Sequence, residues 1–208
     1  MKYKITSESA SGAYVHLPGV PDAPTSAPIR FLPWQPSTWP DLSNNESRDV
    51  IPILRQIFYQ SMIDEIQNVI SDAQAVNGSL EHRGHVVGIA LMCTLDAVAE
   101  YGYRGGTGKQ IVKFVRRHFP DEYHADAERI YDLYRCKMVH GWNLFSVTIW
   151  PTNEPFVATS EDMSIGLLTL FNALRSAIED FLDKLTTDDH LRANTFRKYN
   201  HLRSTARR

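Results

Sequence analysis

Two cysteines in 208 residues supply no disulfide framework on which a small fold could depend. Cys93 and Cys136 both fall in apolar, helical patterns, which predicts buried thiols in a reducing compartment. No uncharged apolar run approaches the ~18 residues of a membrane span. The opening Met1-Lys-Tyr-Lys-Ile-Thr-Ser-Glu-Ser9 has no apolar core of a signal peptide. The expectation is a soluble cytoplasmic protein with no membrane association. His-Glu-x-x-His, Cys-x-x-Cys and Gly-x-Ser-x-Gly are all missing, so zinc-protease, zinc-knuckle and hydrolase-triad chemistries gain no support. Acids are missing from His190 onward. That stretch holds Arg192, Arg197, Lys198, Arg203, Arg207 and Arg208, so a net charge of −2 leaves −8 for everything before it.

What is present is ordinary globular material, with 43% hydrophobic and 22% charged residues. The length suits one domain with an appendage, large enough for a core without metals or disulfides. Residues 1–46 carry seven of the eleven prolines. That density excludes helix and central strand. Interleaved Tyr14, Val15, Phe31, Leu32, Trp34 and Trp39 argue against plain disorder, which is poor in aromatics. An extended arm laid over the body or over a partner is expected.

Helical periodicity starts near Ser47, with Pro52 in the first turn. Val50, Leu54, Ile57, Phe58, Ser61, Met62, Ile66, Val69, Ile70 and Ala73 trace one face as far as the Asn77-Gly78 stop. A second helix is expected over Glu81–Tyr101, apolar nearly all round and therefore central. A loop over 101–108 leads to a third at Lys109–His118, with Ile111, Val112, Phe114 and Val115 inward and Lys113, Arg116 and Arg117 outward. Pro120 ends that segment, and a fourth helix is expected over Glu122–His140. Phe145–Trp150 alternates like a strand, and Phe156–Thr159 is expected to return as its hairpin partner. Ser160-Glu-Asp162 reads as the cap of a last helix running through Ile165, Leu168, Phe171, Leu174, Ile178, Phe181 and Leu182 to Leu185. Residues 189–208 read as a basic tail, frayed or weakly helical. The architecture is mainly all-α, a bundle of four to five helices over residues 47–188, with a small β-hairpin at 145–159.

Gly102-Tyr-Arg-Gly-Gly-Thr-Gly-Lys109 invites a phosphate-loop reading, but Tyr103 stands at the required first glycine and Gln110 at the required hydroxyl. It reads as a connector. His82, His85, His118 and His124 beside Asp121, Glu122 and Asp126 read as solvated helix ends, so neither metal nor cofactor is expected.

Arg135 and His140, in Tyr131-Asp-Leu-Tyr-Arg-Cys-Lys-Met-Val-His-Gly-Trp-Asn143, form the strongest pair. A permanently charged guanidinium can hold phosphate oxygens while an imidazole titrating near neutrality moves protons. Five residues at ~100° each leave the two about 140° apart on an ideal helix. They meet only if the Arg reaches round, the helix breaks near Gly141, or the site is composite across a dimer.

Arg135-Cys-Lys-Met-Val-His140 resembles the Arg-x(4–6)-His motif of HEPN domains. The order of segments over about 47–185 is similar too: a buried helix Gly88–Ala97, then Phe114-Val-Arg-Arg-His-Phe-Pro120, the motif, and a closing helix. The resemblance implies a helical-bundle, metal-independent endoribonuclease acting on single-stranded RNA or tRNA. It implies a homodimer, service as a toxin or antiviral defence effector, and an antitoxin or defence-system partner. Carried over, Arg135 binds the scissile phosphate and His140 moves protons between the 2′-hydroxyl and the leaving 5′-oxygen, yielding a 2′,3′-cyclic phosphate and a 5′-hydroxyl. Lys137 and Asn143 would contact substrate, with Asp96 and Glu100 in support. One departure stands out, since many active members place a polar residue after the motif Arg where this chain has Cys136. Two alternatives follow: a non-catalytic RNA- or nucleotide-binding or partner subunit, and a helical scaffold assembling through its N-terminal arm. In a purely structural role, Arg135 would pair with Asp96 or Glu100.

Overall fold

The computed structural model describes residues 36, 39–77, 84–132, 147–150, 152–159 and 163–206. The chain divides into residues 1–30 and 31–208, and every described residue belongs to the second unit. Most of that unit is helix. The expected Pro-rich arm therefore lies largely outside the described residues, as do the motif residues Arg135, Lys137, His140 and Asn143.

A 3-10 turn at Asn44–Asp49 opens into α1, Val50–Phe58. A π-helical turn at Tyr59–Ile63 follows, then α2, Asp64–Asn77. Val50, Leu54, Ile57, Phe58, Met62, Ile66, Ile70 and Ala73 are buried, as the stripe predicts. The extra residue of the π turn rotates the later part of the helix and brings Ile63 inward as well. The central helix α3 spans Gly84–Gly102 and α4 spans Thr107–His118. Among the described residues no single helix is long and apolar enough to cross a membrane.

The expected fourth helix is broken at its start. Phe119 is extended ahead of Pro120, as the residue before a proline prefers, and a 3-10 turn at Asp121–Tyr123 precedes α5, Ala127–Arg129. A π turn at 130–132 ends the described part.

Three short strands follow: β1 Val147–Trp150, β2 Val157–Ala158 and β3 Met163–Gly166. The expected hairpin between 145–150 and 156–159 does not form, because β3 lies between β1 and β2. β1 runs parallel to β3, with Val147 opposite Met163, and the antiparallel pair is β2 with β3. Ile165, expected in the last helix, is a strand residue, and α6 begins one turn later at Leu167–Thr187. Phe156 stacks on Tyr123 at 4.7 Å and ties the sheet to the helices.

α6 is the hub. It buries Leu170, Phe171, Leu174, Ala177, Ile178, Phe181, Leu182 and Leu185, and it packs on α1, α3, α4 and α7. Phe181 meets the rings of Phe58 at 6.3 Å and Phe114 at 5.8 Å. At the crossing of α3 and α6, a Cβ on Gly102 would stand 2.6 Å from the Phe181 ring, so only glycine permits the approach.

The basic stretch is not a frayed tail. Asp189–Ala206 is helix α7, and Leu191, Thr195, Phe196 and Tyr199 are buried against the body. Asp188 accepts the Leu191 N–H at 2.8 Å and caps its start. Arg192 donates to the Leu185 carbonyl at 2.8 Å, satisfying an orphan acceptor at the end of α6. Tyr199 stacks on Trp39 with ring centres 5.0 Å apart, and its hydroxyl donates to the Pro40 carbonyl at 2.8 Å. Arg203 pairs with Asp41. Tyr199→Phe keeps the stack and loses one hydrogen bond, so urea unfolding should show a loss of about 1 kcal/mol.

Candidate functional site

The inward face of α4 ends on a histidine. Ile111, Phe114, Val115 and His118 follow helical spacing, and all four are buried. The His118 side chain is 0% exposed, so the expected solvated helix end is instead part of the core. Its ring sits against Phe114 at 4.7 Å and Phe181 at 5.4 Å. Both ring nitrogens are engaged: Nδ1 lies 2.6 Å from Asp180 Oδ2 on α6, and Nε2 lies 2.7 Å from the Tyr103 hydroxyl. Lys184 Nζ donates to the same Asp180 oxygen at 2.7 Å and to the Arg117 carbonyl at 2.8 Å.

The protonation states follow from these neighbours. Burial pushes His118 down to about 4, and the Lys184 and Arg117 charges add to that against the opposing Asp180 hydrogen bond. Burial alone would raise the Asp180 carboxyl, but hydrogen bonds from Lys184 and His118 outweigh it and hold the group below the usual carboxylate range. Burial pushes the Tyr103 phenol up to about 12. At neutral pH a neutral imidazole therefore donates from Nδ1 to the Asp180 carboxylate and accepts at Nε2 from the Tyr103 hydroxyl. The chain Tyr103–His118–Asp180 has the connectivity of a proton relay, but the imidazole is closed to solvent. Its effect is to lock α4 to α6 and to fix Tyr103.

Tyr103 reaches a surface cavity of about 320 Å³ that its connector shares with α7. Arg104 and Gly105 stand on one side, with Arg197, Lys198 and His201 on the other. The segment expected to be a plain connector is held in place: Gln110 Nε2 donates to the Tyr103 carbonyl at 2.9 Å, and Gly105 takes a φ of 126° that favours glycine. Glu100 lies at the edge and pairs with Lys198.

Of the residues singled out in the sequence, Asp96 and Glu100 are one turn apart on α3, Asp96 half-buried and Glu100 exposed toward α7. Cys93, expected to be buried, is exposed. It lies with Val86, Ala90 and Ala97 within one stripe of α3, and Val86 is 55% exposed. Val86 and Cys93 on this apolar stripe are exposed, whereas Ala90 and Ala97 are partly buried against the core. His124 Nε2 donates to the Phe119 carbonyl at 2.8 Å, and no group of three or more His, Cys, Asp or Glu among the described residues could hold a metal ion.

The Tyr103–His118–Asp180 contact and the cationic cavity escape a sequence reading for different reasons. His118 and Asp180 are 62 positions apart, so nothing local links them. The i, i+4 spacing from Phe114 to His118 was the available signal that this imidazole points inward. Comparisons with protein families, curated proteins and solved structures returned no match, so the site rests on its own residues.

Proposed function

We propose that the protein is a metal-independent endoribonuclease of the HEPN type, cleaving RNA to 2′,3′-cyclic phosphate and 5′-hydroxyl ends. The reading rests on the Arg135-x(4)-His140 motif. The structural observation that supports it is the docking of the stretch leading to that motif. Ala127 and Ile130 are buried, Arg116 of α4 pairs with Glu128 at 2.6 Å, and the Tyr131 ring lies over Gly108, 2.7 Å from where a Cβ would stand. Arg135 follows the last of these anchored residues, Tyr131, by four positions. In this proposal Arg135 neutralises the scissile phosphate, His140 transfers the proton, and Lys137 and Asn143 contact the RNA.

A homodimer belongs to the same proposal. The motif residues do not share a face of one ideal helix, and the apolar α3 stripe through Val86, Cys93 and Ala97 offers a surface for a second copy. A second reading, RNA or nucleotide binding without cleavage, is favoured by the cations of the α7 cavity and by Cys136 after the motif Arg.

Incubation of the purified protein with mixed single-stranded RNA and tRNA in EDTA tests the proposal. Cleavage to cyclic phosphate ends, lost in both Arg135→Ala and His140→Ala while circular dichroism is unchanged, is the expected result. RNA left intact, or cut equally by both variants, overturns it.

A further inference from the structure

We propose that the cavity between the α3–α4 connection and α7 binds the phosphate group of a small phosphorylated molecule through Arg104 and Arg197. The proposal stands apart from the nuclease reading, since none of its residues belongs to the motif.

Arg55 pairs with Glu179, Arg116 with Glu128, Arg117 with Asp188 and Arg129 with Asp126. Lys198 is taken by Glu100 and Arg203 by Asp41. Arg192, which lines a neighbouring cavity of about 480 Å³, is consumed by Asp189 and the α6 carbonyls. Arg197 borders that second cavity too, where it is the one lining cation without a carboxylate partner among the described residues. Arg104 and Arg197 differ. Among the described residues neither has a carboxylate partner, and Arg197 donates only to the neutral Asn194 oxygen at 2.9 Å.

These two guanidiniums line the same cavity, with His201 and the Tyr103 ring beside them. An anion held in the cavity would accept the forked donors of both guanidiniums and offset charge that no carboxylate among the described residues neutralises. A tetrahedral phosphate matches that fork. The cavity volume of about 320 Å³ is at the lower end of small-molecule sites, large enough for a phosphate on a compact organic body. The walls are pre-formed: Tyr103 is held by His118 and Gln110, and α7 is clamped by Tyr199, Arg192 and Arg203. Binding then costs little reorganisation.

Isothermal titration calorimetry of the full chain at low salt, with inorganic phosphate and with adenosine monophosphate, tests this. Saturable binding of at least one probe is expected, weakened at least about tenfold in Arg104→Gln and in Arg197→Gln, with melting temperatures unchanged. Lys113→Gln, which removes an exposed charge from the outer face of α4, should leave affinity as it was. A response to adenosine monophosphate but not phosphate assigns the ligand an organic body, and a response to both assigns the site to the phosphate alone. No binding of either probe overturns the proposal, and so does equal weakening by Lys113→Gln. A single-stranded RNA oligonucleotide that loses affinity in the two Arg variants while both small probes fail to bind also overturns it, and would make the cavity part of an RNA surface.

Discussion

Replacing Gly166 with alanine should cost more than about 3 kcal/mol and leave little folded protein at moderate urea. The reason is space. Gly166 has a φ of −74°, which any residue adopts. A Cβ there, however, would stand 2.4 Å from the Thr152 carbonyl oxygen, 2.5 Å from the Glu154 nitrogen and 2.7 Å from the Glu154 carbonyl oxygen. All three are backbone atoms and cannot swing aside as a side chain would. The same loop is held by hydrogen bonds, from Gly166 N–H to the Glu154 carbonyl at 3.0 Å and from Leu168 N–H to the Thr152 carbonyl at 3.2 Å. Relieving the clash means pulling the loop off the start of α6 and breaking both. Gly106→Ala is the matched control, because a Cβ there meets nothing within 4 Å. Urea midpoints read the contrast: a collapse for Gly166→Ala and near-parental stability for Gly106→Ala. Equal midpoints would mean that the loop does not dock.

The second large effect is acid sensitivity above the range where carboxylates titrate. In the folded protein His118 protonates only near about 4, against an ordinary 6.5. Between those values the unfolded chain binds the proton and the folded one does not, so stability rises with pH. The contribution is complete above about 6.5, falls away as pH drops toward 4, and amounts to about 3 kcal/mol across that window. Further down, Asp180, Asp188 and Glu179, all held below their ordinary range, protonate and weaken the fold again. Asp188 is held there first by the Leu191 N–H it accepts, with Arg117 adding to it. His118→Asn retains a donor near Asp180 and removes the titration. It should be less stable than the parent at pH 7 yet show a flatter stability curve between pH 6.5 and 4. A slope identical to the parent's would show that His118 is not the group responsible.

The helices with a clean apolar period were legible from the sequence. The stripe from Val50 to Ala73 and the Phe171–Leu185 face of α6 largely bury what their spacing says they bury, and α3 buries Val87, Leu91, Met92, Leu95, Val98 and Ala99 but not Val86 or Cys93. The failures have physical causes. Six cations and no acid from His190 onward made residues 189–208 look like a solvated tail, although Leu191, Thr195, Tyr199 and Leu202 keep helical spacing through them, and long basic side chains can lie along a buried face with their heads paired. Ser160-Glu-Asp162 resembled a helix cap, which drew Met163–Gly166 into α6, whereas Gly166 and the Thr152–Glu154 backbone fix a strand there. Cys93 sits in an apolar run, but a helix buries only the faces its neighbours cover, and Val86 and Cys93 lie on a face of α3 that stays exposed. The cavity at α7 was out of reach for a simpler reason. Arg104 and Arg197 are 93 positions apart, and only the packing of α7 on α3 brings them to one place.

That packing also sets a schedule for the newly made chain. Pro40, next to Trp39, finds its partner Tyr199 across 159 positions, and Asp41 finds Arg203 across 162. At ribosomal speeds of roughly 5–20 residues per second, the indole waits on the order of ten to thirty seconds before its stacking ring exists. Until then α3 lacks the helix that covers Tyr101 and Gly102, and an apolar flank lies open. The clasp is therefore the last closure of the fold, made after synthesis has passed α7, and the interval before it is when a chaperone or a second nascent copy has access to that flank.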